Sequence, residues 1–263
     1  MSIDETLIAE YLSFAEELAE AAAAVIRPHF RAPLAVEDKG GNLFDPVTVA
    51  DRDAERIMRT MIQKRYPDHG VFGEEEGRSG GRSPLTWVLD PIDGTRAFIT
   101  GMPLWGTLIA LNDGSRPVLG VMNQPFTGER FIGTPTSARL GTRPLRTRPC
   151  ERLDEARLMC TTPEMFQTPA QRSAFDDLAA RVRLRRFGGD CYAYCMLAAG
   201  HVDIVVEAAL QPYDVQALIP IIEGAGGIIT TWEGGDAQHG GAILACGDPA
   251  LHPVCMEVLR GAA

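Results

Sequence analysis

Asp90 and Asp93 stand three residues apart in the run WVLDPIDGTRAF, Trp87 to Phe98. This is where an apolar strand gives way to a helix, and paired carboxylates at such a junction suit metal-assisted phosphate chemistry. Pro91 biases Asp90 towards extended backbone. The pattern therefore predicts a strand from Leu85 to Leu89 that ends at Asp90, with Asp93 as the N-cap of a short helix stopped by Gly101. The first free N–H groups of that helix, on Gly94 and Thr95, form an anion site. Two aspartates beside it repel a phosphate unless a cation lies between them, so the turn that binds phosphate also calls for magnesium. The alternative is a helix cap beside a surface acid.

Further acids fall at similar junctions. Glu74, Glu75 and Glu76 follow the short run Val71-Phe72-Gly73, at a strand end where sites often form. They suit either a solvated loop or a metal that makes use of their mutual repulsion. Asp51 lies three residues after Thr48 and completes a capping box, with or without a further role. Asp214 follows Pro212 and Tyr213 and opens an apolar helix, where an N-cap is the plain reading. No single capping argument predicts that Asp51, Glu74, Asp90, Asp93 and Asp214 should all meet element ends. Hard oxygen ligands so placed describe a magnesium site.

The elements that must position these acids follow from periodicity. Apolar residues from Leu7 to Ile26 recur at helical spacing and predict a long amphipathic helix from about Asp4 to Phe30. After a loop around Lys39 to Asn42, Thr48 starts a second helix with its stripe at Ala50, Ala54, Ile57, Met58, Met61 and Ile62, ending before Pro67. Strands follow at Leu85–Asp90, Thr107–Asn112, Val118–Asn123 and Glu129–Thr134, with turns at Asp113-Gly114 and Thr127-Gly128, as a mainly antiparallel meander. The stretch Gly133–Pro149, rich in Pro, Gly and Arg, is the expected joint between two halves, residues 1–147 and 148–263. In the second half, strand Arg157–Thr161 leads to a helix opened by Thr168, Pro169 and Gln171. Strand Leu184–Phe187, helix Asp190–Ala199, strand Val202–Glu207, the helix at Asp214 and strands Ile228–Thr231 and Ala242–Cys246 come after it. Gly224, Gly226 and Gly227 lack a dinucleotide fingerprint and read as packing glycines. Helices and sheets in layers, an α+β architecture, are implied.

A chain of 263 residues, 45% hydrophobic, can bury a sizeable core without staples. Its 35 acidic and 25 basic residues give a formal charge of −10, which excludes nucleic acid and anionic membrane as main partners. Arg181, Arg183, Arg185 and Arg186 alternate with Val182 and Leu184 as an edge strand does. The six cysteines lack paired C-x-x-C spacing and read as small buried hydrophobes. The five histidines have no i, i+4 pairs, against zinc or His-based nucleophilic catalysis. No run is long and apolar enough to span a membrane, and the N-terminus lacks a basic leader, so a soluble cytoplasmic protein is expected.

With these residues in hand, the chain resembles the inositol monophosphatase superfamily of magnesium-dependent, lithium-sensitive phosphomonoesterases. The match runs nearly end to end. The first motif is Phe72-Gly73-Glu74-Glu75, the second Trp87 to Thr95 (WVLDPIDGT), and the third Tyr213-Asp214 leading into a helix with Gly226-Gly227 beyond. Tyr213 replaces the family's usual tryptophan and keeps an aromatic. The resemblance implies a layered αβαβα sandwich of the inositol monophosphatase/fructose-1,6-bisphosphatase type. It implies that Glu74, Asp90 and the Ile92 carbonyl hold one magnesium, that Asp90, Asp93 and Asp214 hold a second, and that Glu74 faces a third, weaker ion. Gly94 and Thr95 would bind phosphate oxygens through N–H groups. Thr95, oriented by Asp51, would position and deprotonate the attacking water, with Glu75 standing behind the ligands.

The runs Arg96 to Leu111 and Phe187-Gly188-Gly189-Asp190-Cys191-Tyr192-Ala193-Tyr194 resemble the histidinol-phosphate phosphatase branch, which acts in histidine biosynthesis. That branch implies that Asp190 and Glu207 approach the amine-bearing leaving group. Hydrolysis of inositol phosphate or another small phosphomonoester is the nearest rival. A regulatory binding role with weak activity is a third. The family also suggests a homodimer.

Overall fold

The computed structural model describes residues 4–262 apart from 34, 39 and 41–45. Most of the expected loop Lys39 to Asn42 therefore lies outside the described residues. Helix α1 (Glu5–Ile26) is capped by Asp4, whose side chain accepts from Thr6 N. It stops short of Phe30, because Pro28 cannot continue the ladder and a 3-10 turn, Arg27–His29, takes over. Strands β1 (Val36–Asp38) and β2 (Pro46–Thr48) pair as a ribbon. Helix α2 (Val49–Arg65) opens on Thr48 and Asp51 in a complete capping box, as the spacing predicts.

The first sheet is built from β3 (Gly70–Gly73), β4 (Gly77–Ser79), β5 (Thr86–Asp93), β6 (Gly106–Asn112), β7 (Pro117–Gln124), β8 (Glu129–Thr134), β9 (Ser137–Leu140) and β10 (Arg143–Pro144). The order is β10-β9-β8-β7-β6-β5-β3-β4. All pairs are antiparallel except β3 with β5, which run parallel and so bring Gly73 level with Leu89. The segment read as a joint thus contributes the last two strands on one side, β9 and the edge strand β10, and the first sheet ends at Pro144.

Two expectations around Asp93 need correcting. Strand β5 does not end at Asp90. Its pairing with β6 is irregular between Asp90 and Asp93 and resumes at Asp93 opposite Gly106. Pro91 has no N–H for the ladder, but its carbonyl accepts from Thr107 Oγ1 at 2.8 Å, which holds the strand through the interruption. Nor is Asp93 the cap of α3 (Thr95–Ile99). Gly94 takes that position at φ +84°, a left-handed turn that glycine adopts without strain. Asp93 is thereby left free to turn its side chain elsewhere.

The second sheet comprises β11 (Arg157–Cys160), β12 (Leu184–Phe187), β13 (Ile204–Leu210), β14 (Ile228–Thr231) and β15 (Gly241–Cys246), in the order β12-β11-β13-β15-β14. Strand β12 is an exposed edge, as its arginines indicate. Helices α4 (Pro169–Ala179), α5 (Asp190–Ala198), α6 (Pro212–Val215), α7 (Leu218–Gly224) and α8 (Leu251–Leu259) interleave with these strands. Asp214 does not open its helix: Gln211 caps α6 and donates its N–H to Asp214 Oδ2 at 2.7 Å, so Asp214 is the third residue of the box. Strand β13 runs on past Glu207 to Leu210 through an irregularity that includes Ala209 at φ +62°.

Alternation along the strands sorts the core into three slabs. Trp87, Leu89 and Ile109 face α1 and α2, whereas Val88, Leu108 and Met122 face α5 and α7. Val205, Ile243 and Ala245 meet that same central slab from the second sheet, while Val206, Leu244 and Cys246 pack against α4 and α8. The result is five layers, αβαβα, as the resemblance implies. Helix α7 lies against the first sheet at glycines: a Cβ at Gly120 would stand 1.9 Å from the Ala217 carbonyl oxygen, and one at Gly224 would stand 2.3 Å from that of Ser137. All six cysteines are free and buried.

Candidate active site

The central slab opens into a cavity of about 440 Å³ lined by residues of both sheets. On one wall, β5 and α6 bring Asp90, Asp93 and Asp214 together, with one carboxylate oxygen from each lying within 4.8 Å of the others. Asp90 is 2% exposed, and its Oδ1 has no hydrogen-bond partner among the described residues. An ionised oxygen buried that way is costly unless a cation meets it. Burial, then the charges of Glu74, Asp93 and Asp214, push the Asp90 carboxyl well above the usual range. Asp214 is raised by burial and by Asp93. Asp93 is pushed up by burial to about 6, restrained by a hydrogen bond from Cys191 N to its Oδ2 at 2.7 Å. Hard oxygens crowded against their own charge fit a divalent ion.

Glu74 lines the same wall, as do Ile92, Gly94 and Thr95. The Ile92 carbonyl accepts from Thr95 Oγ1 at 3.0 Å. Glu74 is tied to the sheet by its own N–H, which donates to Leu89 O at 3.2 Å. Asp51 is 1% exposed and does not line the cavity. Its Oδ2 accepts from Thr48 N at 2.9 Å and from Thr48 Oγ1 at 2.6 Å, so the carboxylate is engaged in its capping box and no described hydrogen bond joins it to Thr95. Burial pushes it up to about 7, the Thr48 bonds pull it down, and the charges of Glu74 and Glu75 add to the rise.

The same lining includes Asp190 and Glu207, and Asp190 lies against the Gly94 turn, where a Cβ on Gly94 would stand 3.1 Å from the Asp190 Cβ and Cγ. Glu207 Oε1 accepts from Thr161 N at 2.9 Å and Thr161 Oγ1 at 2.5 Å, and Oε2 accepts from Tyr194 OH at 3.0 Å. Burial nonetheless raises it to about 7. Asp190 begins α5 at φ +43°, a strained value for a residue with a side chain, and its N–H donates to Thr161 Oγ1 at 3.0 Å. Burial, then Asp93 and Glu207, raise Asp190 to about 8, and Arg96 opposes the rise. Strain at a cavity wall is where a functional constraint is expected to show.

Sequence reasoning missed three residues here. Thr161 joins the Glu207 carboxylate to the Asp190 backbone N–H, Arg96 lines the cavity and opposes the rise at Asp190, and Glu55 anchors the turn behind Glu74. Thr161 at the end of β11 was legible as a polar residue closing an apolar strand. The other two carried no signal beyond exposed-looking helix charges.

Comparison with known proteins fits this geometry. Residues 7–261 match the model of the inositol monophosphatase family. The chain belongs to that family. A bifunctional phosphatase of Arabidopsis thaliana, IMPL2, described as chloroplastic, is 40% identical over 98% of this chain and 77% of that protein. A histidinol-phosphatase of Chlorobaculum parvum is 35% identical over 91% of this chain and 93% of its own length. The solved inositol monophosphatase of Zymomonas mobilis superposes with a TM-score of 0.86 at 41% identity, covering 96% of this chain and 98% of that one. Inositol monophosphatase family members are metal-dependent, and this chain carries an acidic cluster that could hold an ion. The family makes this chain a phosphatase of small phosphoric monoesters. Among the described residues no helix is long and apolar enough to cross a membrane.

Proposed function

We propose that the protein hydrolyses L-histidinol phosphate to L-histidinol and phosphate with Mg²⁺, as a step of histidine biosynthesis. The observation that carries this reading is the second pair of carboxylates. Asp190 and Glu207 line the cavity beside the acidic cluster, and there a cationic leaving group finds acceptors that an uncharged sugar does not require. Likeness to a curated histidinol-phosphatase supports it.

In this reading Glu74, Asp90 and the Ile92 carbonyl hold one ion, and Asp90, Asp93 and Asp214 a second, with Glu74 turned towards a third. When bound, the ions lower the pKa of a water and neutralise charge that builds on the phosphoryl oxygens. The chain's own groups do the rest. Gly94 and Thr95 N–H groups hold phosphate oxygens, a placement that the left-handed turn at Gly94 favours. Thr95 and Asp51 orient and deprotonate the attacking water. An acid raised to about 7 is matched to a base working near neutral pH, once it turns from Thr48. Glu75 stands behind Glu74. Asp190 and Glu207 bind the amine and imidazole of the alcohol product. We further assign residues 1–147 and 148–263 to two halves that share this cavity, a homodimeric assembly and a cytoplasmic location.

The likeness to the Zymomonas mobilis inositol monophosphatase favours a second reading, in which inositol 1-phosphate or a range of small phosphomonoesters is the substrate. A phosphate-release panel with Mg²⁺ separates the two. Histidinol phosphate should be preferred in kcat/KM by about 100-fold or more, the discrimination a site gains by pairing buried charges with a substrate's polar groups. Equal rates on both substrates would reject the specific assignment.

A further inference from the structure

The turn that carries Glu74 is held from below by an acid outside the three motifs named above. We propose that Glu55, clamped by Arg59, is a positioning residue for the metal centre, fixing the backbone from which Glu74 reaches an ion. The inference rests on the reading of Glu74 as a metal ligand.

Helix α2 presents Asp51, Glu55 and Arg59 at intervals of four, so all three share one face. Glu55 is fully buried, at 0% exposure. Its Oε2 accepts from Glu75 N at 2.8 Å, and its Oε1 accepts from Glu76 N at 2.9 Å and Arg59 Nε at 2.8 Å. Arg59 in turn donates from Nη2 to the Gly77 carbonyl at 2.5 Å. Glu75 N, Glu76 N and the Gly77 carbonyl, on the far side of Glu74, are therefore anchored to α2, while Glu74 N is anchored to β5 on the near side. Gly73 permits the approach, since a Cβ there would stand 2.2 Å from Glu55 Oε1.

Stability alone is a weak reason to bury such a pair, because apolar residues of similar volume usually do as well. A reason does arise at the cavity. Glu74 shares its wall with three like-charged carboxylates that repel it. An acceptor that grips consecutive N–H groups keeps the turn in place against that repulsion, so that the oxygens are already arranged when the ion arrives.

The test is a calorimetric titration of Mn²⁺ into substrate-free wild-type protein and the variants Glu55→Gln and Glu74→Gln, with unfolding of the metal-free proteins followed in parallel. In Glu55→Gln one acceptor becomes a donor facing an N–H. The expected result is a folded protein whose Kd for Mn²⁺ rises by about 10- to 100-fold, the usual effect of losing a partner that orients a metal ligand. Activity should recover towards wild type at saturating metal, which a general loss of structure would not allow. A folded Glu55→Gln with Kd within about twofold of wild type overturns the proposal while Glu74→Gln weakens binding. Wild-type affinity in Glu74→Gln instead overturns the ligand reading on which it rests. Should Glu55→Gln not fold, hydrogen exchange on the metal-free wild type decides: slow exchange at Glu75 and Glu76 is expected, and exchange at the rate of a free loop overturns the proposal.

Discussion

The acidic cluster and Glu207 carry the same chemical group within one cavity, in opposite states. Asp90, Asp93 and Asp214 crowd their oxygens within 4.8 Å, and Asp90 Oδ1 has no donor among the described residues. Glu207, in the same cavity, has a donor on each oxygen, and Asp190 sits at the start of a helix locked to the same threonine. Carboxylates left short of donors and pressed together need a cation to be stable. Carboxylates satisfied in advance need none, and they offer a fixed polar surface to whatever part of a substrate reaches them. In the reading proposed above, the crowded carboxylates take an ion, and Asp190 and Glu207 take a leaving group.

The largest effect should come from breaking the crowded wall. Asp90→Asn should lower kcat/KM by about 1,000-fold or more, because an amide is a poor ligand for a hard cation. The same change should stabilise the metal-free protein by about 1 kcal/mol, ~2–4 °C in Tm, by removing repulsion. A variant both active and less stable would put Asp90 in the satisfied class instead.

Asp190→Asn should raise KM for histidinol phosphate by about 10- to 100-fold, as expected for losing one partner of a buried charge pair, and leave inositol 1-phosphate unaffected. In the wild type, that KM should fall as pH rises through about 8, where Asp190 becomes charged, and the slope should vanish in the variant. Steady-state kinetics on both substrates at several pH values check this. A smaller effect, about 3- to 10-fold on the same KM, is expected for Thr161→Val, which removes one donor from Glu207 and one acceptor from Asp190 N.

The smallest effect is on stability. Glu207 and Asp190, raised to about 7 and about 8, hold a proton more tightly folded than unfolded. Their contribution is fully present below the unfolded carboxylate pKa and is lost as pH rises through 7 to 8. Thermal unfolding of metal-free protein should accordingly give a lower Tm at pH 8.5 than at pH 5.5. A Tm that climbs over that interval would show these two carboxylates to be charged in the folded state from the start.

Local signals in the chain were enough for much of this. The capping boxes at Thr48 and Thr168 and the hairpin turns at Asp113-Gly114 and Thr127-Gly128 depend on neighbouring residues only, and each lies where its spacing predicts. Asp93 was misread as a cap because Asp is a common N-cap, whereas the turn it precedes needs a left-handed residue, and Gly94 fills that need. The parallel placement of β3 beside β5, which brings Glu74 to Asp90, joins segments through a sheet and leaves no local mark. Glu55 and Arg59 were invisible for a related reason. A Glu and an Arg four apart on a helix look like a solvated ion pair, and only the turn folded over them makes the pair internal.

The central claim is that the crowded wall is a metal centre. Anomalous diffraction from a crystal equilibrated with Mn²⁺ tests it most directly. The account predicts a peak between Asp90, Asp93 and Asp214 with carboxylate oxygens about 2.0–2.2 Å away. Mn²⁺ bound elsewhere, with Asp90 Oδ1 meeting only a protein donor or a water, would contradict it.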